Sequence, residues 1–131
     1  MEKLAKNDHD LIEAAREIIR RRFRQGYHHV GAAPRTKSGK VFAAVHLEAH
    51  VGRVAICAEA CAIGLAATEG DVDIDCIVAV DRNGAVLSPC GMCRELISDF
   101  SPDARVIVSN GGDLAAVSIA DLLPMKYRKL H

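Results

Sequence analysis

The chain predicts a three-layer α/β/α sandwich, with one mixed five-stranded sheet and helices on both of its faces. Three observations carry that prediction. Helical and strand patterns follow one another in the order α-β-β-α-β-α-β-β-α, which a single mixed sheet can absorb. Half of the residues are hydrophobic and no tract is of low complexity, so residues 1–131 can bury one core as a single domain. An alanine-rich stretch near the middle is apolar nearly all round, as expected of a helix covered on both sides.

In the first helix Leu11, Ile12, Ala15, Ile18, Ile19 and Phe23 recur at three- and four-residue spacing, opposite Glu13, Arg16, Glu17, Arg20 and Arg24. Asn7 and Asp8 offer N-caps, and Gly26 suits the C-cap. The basic run 20–24 fits a solvated or subunit-facing helix end, favoured by the macrodipole. Residues 29–33 read as a strand of small side chains. Residues 34–39 read as a turn and 41–48 as a second strand, giving a hairpin. A loop at 50–53 leads into the central helix, from Val54 to about Gly70. Residues 74–81 form a buried strand that ends at the turn Arg82-Asn83-Gly84. Pro89 opens a helix that runs through about Phe100. Strands at 104–109 and 114–117 follow, then a short helix at 118–123 stopped by Pro124.

Composition removes several function classes. Lys plus Arg is 17 and Asp plus Glu is 17, so the basic excess of a nucleic-acid binder is missing. Phe and Tyr total five and Trp is absent, which argues against a stacking groove for single strands. No apolar run reaches the ~18 residues of a membrane span. The first eight residues lack the apolar segment of a signal peptide. A cytoplasmic chain is therefore expected, in which five cysteines read as metal ligands or buried thiols rather than disulfides.

The chemistry is concentrated in Cys57-Ala58-Glu59 and Pro89-Cys90-Gly91-Met92-Cys93. Three thiolates can hold one Zn²⁺ while leaving its fourth position open, which distinguishes a catalytic from a closed structural site. Cys90 and Cys93, three apart, share a face of a helix's first turn. Cys57 lies near the start of the central helix, so two helix N-termini would point at the metal and offset its thiolate charge. Arg94 is the first candidate to donate to thiolate sulfur and Arg53 a weaker one. Glu59 is placed to take a proton from water that zinc has acidified, and to return it as general acid. A structural site closed by His50 or Cys61 is the alternative.

Cys57-Ala58-Glu59 with Ser88-Pro89-Cys90-Gly91-Met92-Cys93-Arg94-Glu95 resembles the cytidine deaminase superfamily, whose signature is His or Cys, any residue, Glu, then Pro-Cys-x-x-Cys. The all-cysteine form is similar to the small cytidine deaminases and the blasticidin S deaminases. Val30-Gly31-Ala32-Ala33 and Leu122-Leu123-Pro124 extend the likeness to most of the chain. The resemblance implies a cytidine deaminase-like fold and hydrolytic deamination at C4 of a cytosine nucleoside. The substrate implied is cytidine, deoxycytidine or a modified analogue, and a blasticidin S-like aminoacyl-nucleoside is the alternative. It also implies zinc on Cys57, Cys90 and Cys93, Glu59 as the proton shuttle, and a homotetramer, or else a dimer.

The resemblance places substrate contacts at His46, Glu48, His28, Ala58 and Tyr127. His46-Leu47-Glu48 stands where the family reads Asn-x-Glu against the ribose, and His28 where it carries an aromatic against the base. Ala60 replaces an Arg that tempers the thiolate charge. Tyr127 matches an aromatic that reaches a neighbouring subunit's site. Cys61 and Cys76 read as core thiols. The substitutions at His28 and His46 leave room for a non-catalytic zinc-stabilised binding protein, whereas the zero net charge and the scarcity of aromatics argue against a deaminase of polynucleotides.

Overall fold

The computed structural model describes residues 1–130. Its secondary structure runs α1 (Lys6–Arg22), β1 (Val30–Thr36), β2 (Ala44–Val45), α2 (Ala58–Thr68), β3 (Ile74–Asp81), β4 (Val86–Leu87), α3 (Gly91–Phe100), β5 (Arg105–Asn110), β6 (Asp113–Ser118) and α4 (Ile119–Leu122). The sheet has six strands rather than five. Its order is β2-β1-β3-β5-β6, with β4 folding back on β3. The extra strand pairs Ala79 with Leu87 and Val80 with Val86, closing a hairpin over the predicted turn at 82–84. Among the described residues only β3 and β5 run parallel, joined through β4 and α3.

Strand alternation divides the core. Ala33, Cys76, Val78, Val80 and Ile107 face α1 and pack on its Leu11, Ile12, Ala15 and Ile19. Ile77, Val106 and Val108 face the other way, onto Ile63 of α2, Ile97 of α3 and Ile119 of α4. The three layers are thus α1, the sheet, and α2 with α3. Chain segment 1–3 also pairs with the outer strand, through two backbone bonds between Glu2 and Ala116, which covers an edge that would otherwise stay open.

The expected hairpin is the main correction. Residues 34–36 continue β1 instead of turning, and the expected eight-residue second strand shrinks to Ala44–Val45 with a single bridge between Arg35 and Val41. Pairing of residues 34–36 with Ile77, Cys76 and Ile74 of β3 carries β1 on, and Pro34 explains the short second strand. Its carbonyl accepts from Phe42 N–H at 3.1 Å, so the N–H it lacks faces the same edge, and the ladder there loses a donor. Arg35 consequently lies in the core. Its guanidinium meets Asp8 Oδ1 of α1 at 3.0 Å and Asp75 Oδ2 of β3 at 2.6 Å, while Arg105 reaches Asp8 Oδ1 at 3.2 Å. Burial would raise the Asp8 carboxyl, yet hydrogen bonds from Arg105, the Ala5 N–H and Arg35 outweigh it and hold the group at about 2.

Two helix limits also shift. The central helix starts at Ala58, after a single 3₁₀ turn at Gly52–Val54, and Cys57 is its N-cap. Its buried face is Ala58, Glu59, Ala62, Ile63 and Ala66, whereas Leu65 is 42% exposed. The expectation of cover on both sides therefore fails within one chain. In α1 the N-cap is Ala5, and Asp8 accepts the Ala5 N–H from inside the first turn.

Candidate metal and catalytic site

Two helix beginnings converge on the thiols. Cys57 caps α2, Cys90 caps α3, and Cys93 sits in the first turn of α3. Their three Sγ atoms lie within 4.8 Å of one another. Cys57 Sγ and Cys90 Sγ are 3.6 Å apart; tetrahedral zinc with Zn–S of about 2.3 Å spaces two sulfurs by about 3.8 Å. Donor set and spacing both fit zinc. Among the described residues no further His, Cys, Asp or Glu joins the group. Cys61 instead lines a separate groove with His28 and Leu47, and His50 lies beside Glu48, so neither closes the site.

Backbone donors at the start of α3 act on Cys90. Burial would raise its thiol, but the N–H of Cys93, the neighbouring thiols and the N–H of Met92 bring it below the ordinary thiol range. Helix N–H groups thus favour thiolate at this position. Burial pushes the Cys57 and Cys93 thiols the other way in the metal-free chain. Cys76, sealed inside the sheet, is pushed up to about 12 by burial and is inert there.

Glu59 is 7% exposed, and burial raises its carboxyl against the pull of its own backbone N–H and the Cys93 thiol. It opens on a cavity of about 220 Å³, shared with Cys57, Cys90, Ala58, Ser88 and His46. Val30, Ala79 and Leu87 supply apolar walls. Small side chains leave this room: Ala58 and Ala79 line it, and Ala32 packs against them with almost no exposure.

His46 lies in the cavity wall with a defined orientation. Its Nδ1 accepts the His29 N–H at 2.7 Å, so the neutral ring carries its proton on Nε2. Burial lowers its pKa, and the neighbouring rings of His29 and His28 add to this against the opposing carboxylate of Glu48. His46 Nε2 is 3.8 Å from Glu48 Oε2. Glu48 itself is half-exposed in an adjoining depression with Tyr27 and His50, and does not line the thiol cavity. His28 stands behind His46, its Nδ1 2.8 Å from the His46 carbonyl oxygen. Tyr127 is 79% exposed in a surface depression with Glu95, Asp99 and Lys126, and does not line this chain's own cavity. Arg53 is exposed in the 3₁₀ turn. Arg94 makes its hydrogen bonds to carbonyls rather than to sulfur: Nε to Pro89 O at 2.9 Å and Nη1 to Leu122 O at 3.2 Å.

The sequence reading missed Ser88 and Leu87. They reach the cavity because β4 folds back over β3, and a two-residue strand leaves almost no periodic signal.

Comparison with known proteins agrees with this geometry. A family model for the cytidine and deoxycytidylate deaminase zinc-binding region matches residues 5–110. The chain is 48% identical to a blasticidin-S deaminase of Bacillus cereus, over 96% of both chains. It is 33% identical to a cytidine deaminase of Halalkalibacterium halodurans, over 72% of this chain and 74% of that one. A crystal structure of cytidine deaminase from Burkholderia pseudomallei superposes with a TM-score of 0.77 at 31% identity, covering 95% of this chain and 100% of the other. With both thiol segments inside the matched region, the chain belongs to the cytidine and deoxycytidylate deaminase family and is a zinc-dependent hydrolytic deaminase.

Proposed function

We propose that the chain deaminates the cytosine ring of a nucleoside: water adds at C4, the exocyclic amine leaves as ammonia, and a uracil-type ring remains. The observation that carries this is the shared cavity, in which the Cys57 and Cys90 thiols and the buried Glu59 carboxylate face one another between apolar walls suited to a flat ring. Cys57, Cys90 and Cys93 hold the metal. Zinc bound there supplies Lewis-acid activation of a water molecule. Glu59 would take one proton from the attacking water and deliver it to the ring nitrogen, then take the remaining proton of the hydroxyl added at C4 and pass it to the departing amine. Burial, which favours the protonated carboxyl, suits the second role. Ala58, at the free N-terminus of α2, and His46, a donor through Nε2, orient the substrate. Glu48 accepts from a sugar hydroxyl beside His46. His28 backs the His46 loop.

An aminoacyl-nucleoside of the blasticidin S type is the first-ranked substrate, because the relative carrying that name aligns at 48% identity over nearly all of both chains. Cytidine and deoxycytidine come second, supported by the 33% relative. The enzyme works in the cytoplasm as a homotetramer, or else a dimer. Leu47, Val51, Val54 and Ile56, on the segment leading into α2, and Leu65 on α2 are exposed apolar side chains that assembly would cover. In the assembly Tyr127 reaches a neighbour's cavity.

The test is ammonia release from blasticidin S, cytidine, deoxycytidine and free cytosine by zinc-loaded protein. Turnover of blasticidin S with the highest kcat/KM is expected. Turnover of cytidine alone would reverse the ranking, and turnover of none would remove the proposal.

A further inference from the structure

Arg94 follows Cys93 directly, yet its guanidinium is turned away from the sulfur atoms. It donates to Pro89 O, immediately before Cys90, and to Leu122 O, at the end of α4. Among the described residues neither carbonyl accepts a backbone N–H. One planar cation therefore joins the entrance of the thiol loop to the last turn of the C-terminal helix, satisfying two acceptors through a rigid fork that a flexible ammonium does not reproduce. A second tie runs from the other end of α3. Lys126, its side chain 7% exposed, donates to Ser98 Oγ at 3.1 Å, pairs with Asp99 and lies 3.9 Å from Glu95. Between the two ties, the segment from α4 to Lys126 lies along α3, and Ile119 and Leu122 pack in the cluster that holds Ile97 and Leu96.

We propose that Arg94 is a positioning residue for the metal site: it holds the Pro89–Cys90 backbone so that the Cys90 and Cys93 thiols are preorganised for zinc, with the C-terminal segment as its brace. The proposal rests on the zinc reading given above. The role differs from screening of thiolate charge, because the donors are spent on carbonyls 5 and 28 residues away in sequence.

Zinc affinity of the full chain, by competition with a chromophoric chelator, and the absorption spectrum of its Co²⁺ form separate the outcomes. R94M and R94K should each weaken zinc by about 10–100-fold, the usual effect of losing a group that orients a ligand. The thiolate-to-Co²⁺ bands of both variants should shift or broaden. Lys126→Met should weaken zinc by a smaller factor. Wild-type affinity and spectrum in R94K would mean that the charge matters and the fork does not, which overturns the proposal. So would a lowered Tm with an unchanged Co²⁺ spectrum, since that is a merely structural role. If R94M fails to fold by circular dichroism, R94K and Lys126→Met decide, and unchanged zinc affinity in both defeats the brace. A wild-type chain that binds no zinc removes the reading of the site instead.

Discussion

Glu59 is the residue on which the proposed chemistry turns. It occupies the first turn of α2, two positions after the Cys57 cap, and is one of the few buried charged groups of the chain. Glu59→Gln keeps shape and burial but cannot carry a proton. It should leave the zinc content unchanged and lower kcat by about 10²–10⁴-fold, the range for losing a general acid–base group. Metal analysis beside steady-state ammonia release checks this, and wild-type kcat in the variant would remove Glu59 from the shuttle role. The gathering of the three thiols and the opening of Glu59 onto the cavity beside them were legible in the sequence, because the spacing of the two segments anticipates it. The surroundings were not. Arg94 was expected on sulfur because it neighbours Cys93, but its partners are carbonyls brought close only by the fold. His46 owes its proton position to the His29 N–H, a contact that no spacing rule reveals.

Among the elements, the α1–sheet contact is the most demanding. A Cβ on Gly31 would lie 2.6 Å from the Ala15 carbonyl oxygen and 3.0 Å from Ile18 Cγ2 and Ile19 Cβ, so α1 would have to move off the sheet. Gly31→Ala should cost about 1–3 kcal/mol of unfolding free energy in a urea titration; a cost near zero would show that the helix shifts freely. The Asp8–Arg35–Asp75–Arg105 cluster, buried at Asp8 and Arg35 and half-buried at the other two, ties the same layer by charge. Asp8 has its carboxyl lowered from 3.8 to about 2 on folding, so its contribution is complete above about pH 4 and is lost as pH falls towards 2. The loss should be on the order of 2 kcal/mol beyond that of Asp8→Asn over this interval. Parallel stability curves for the two proteins would contradict it. This cluster was invisible in the sequence because Pro34 next to Arg35 imitates a turn. The late start of α2 was hidden for a related reason: residues 54–57 continue the apolar pattern, and Cys57 caps the helix without a usual capping side chain.

At the scale of the whole molecule, the layer order and the sheet's mixed character were readable because each long element has a strong period: α1 at 3.6 residues, and β3 and β5 as apolar runs. What escaped was short or unpaired. β4 has two residues, and the open side of α2 resembles the buried one in composition because both are built from small apolar residues. The same economy serves the site, since Ala58 and Ala79 leave space where larger side chains would fill the cavity. Two helix caps brought together across the sheet's end hold the thiols, and the buried Glu59 faces the same space. Metal-free protein titrated with zinc, with ammonia release followed at each addition, tests this arrangement most directly. Activity should be absent without metal, rise in proportion to zinc and stop rising at one ion per chain. Full activity in the metal-free chain, or a plateau at any other stoichiometry, would contradict it.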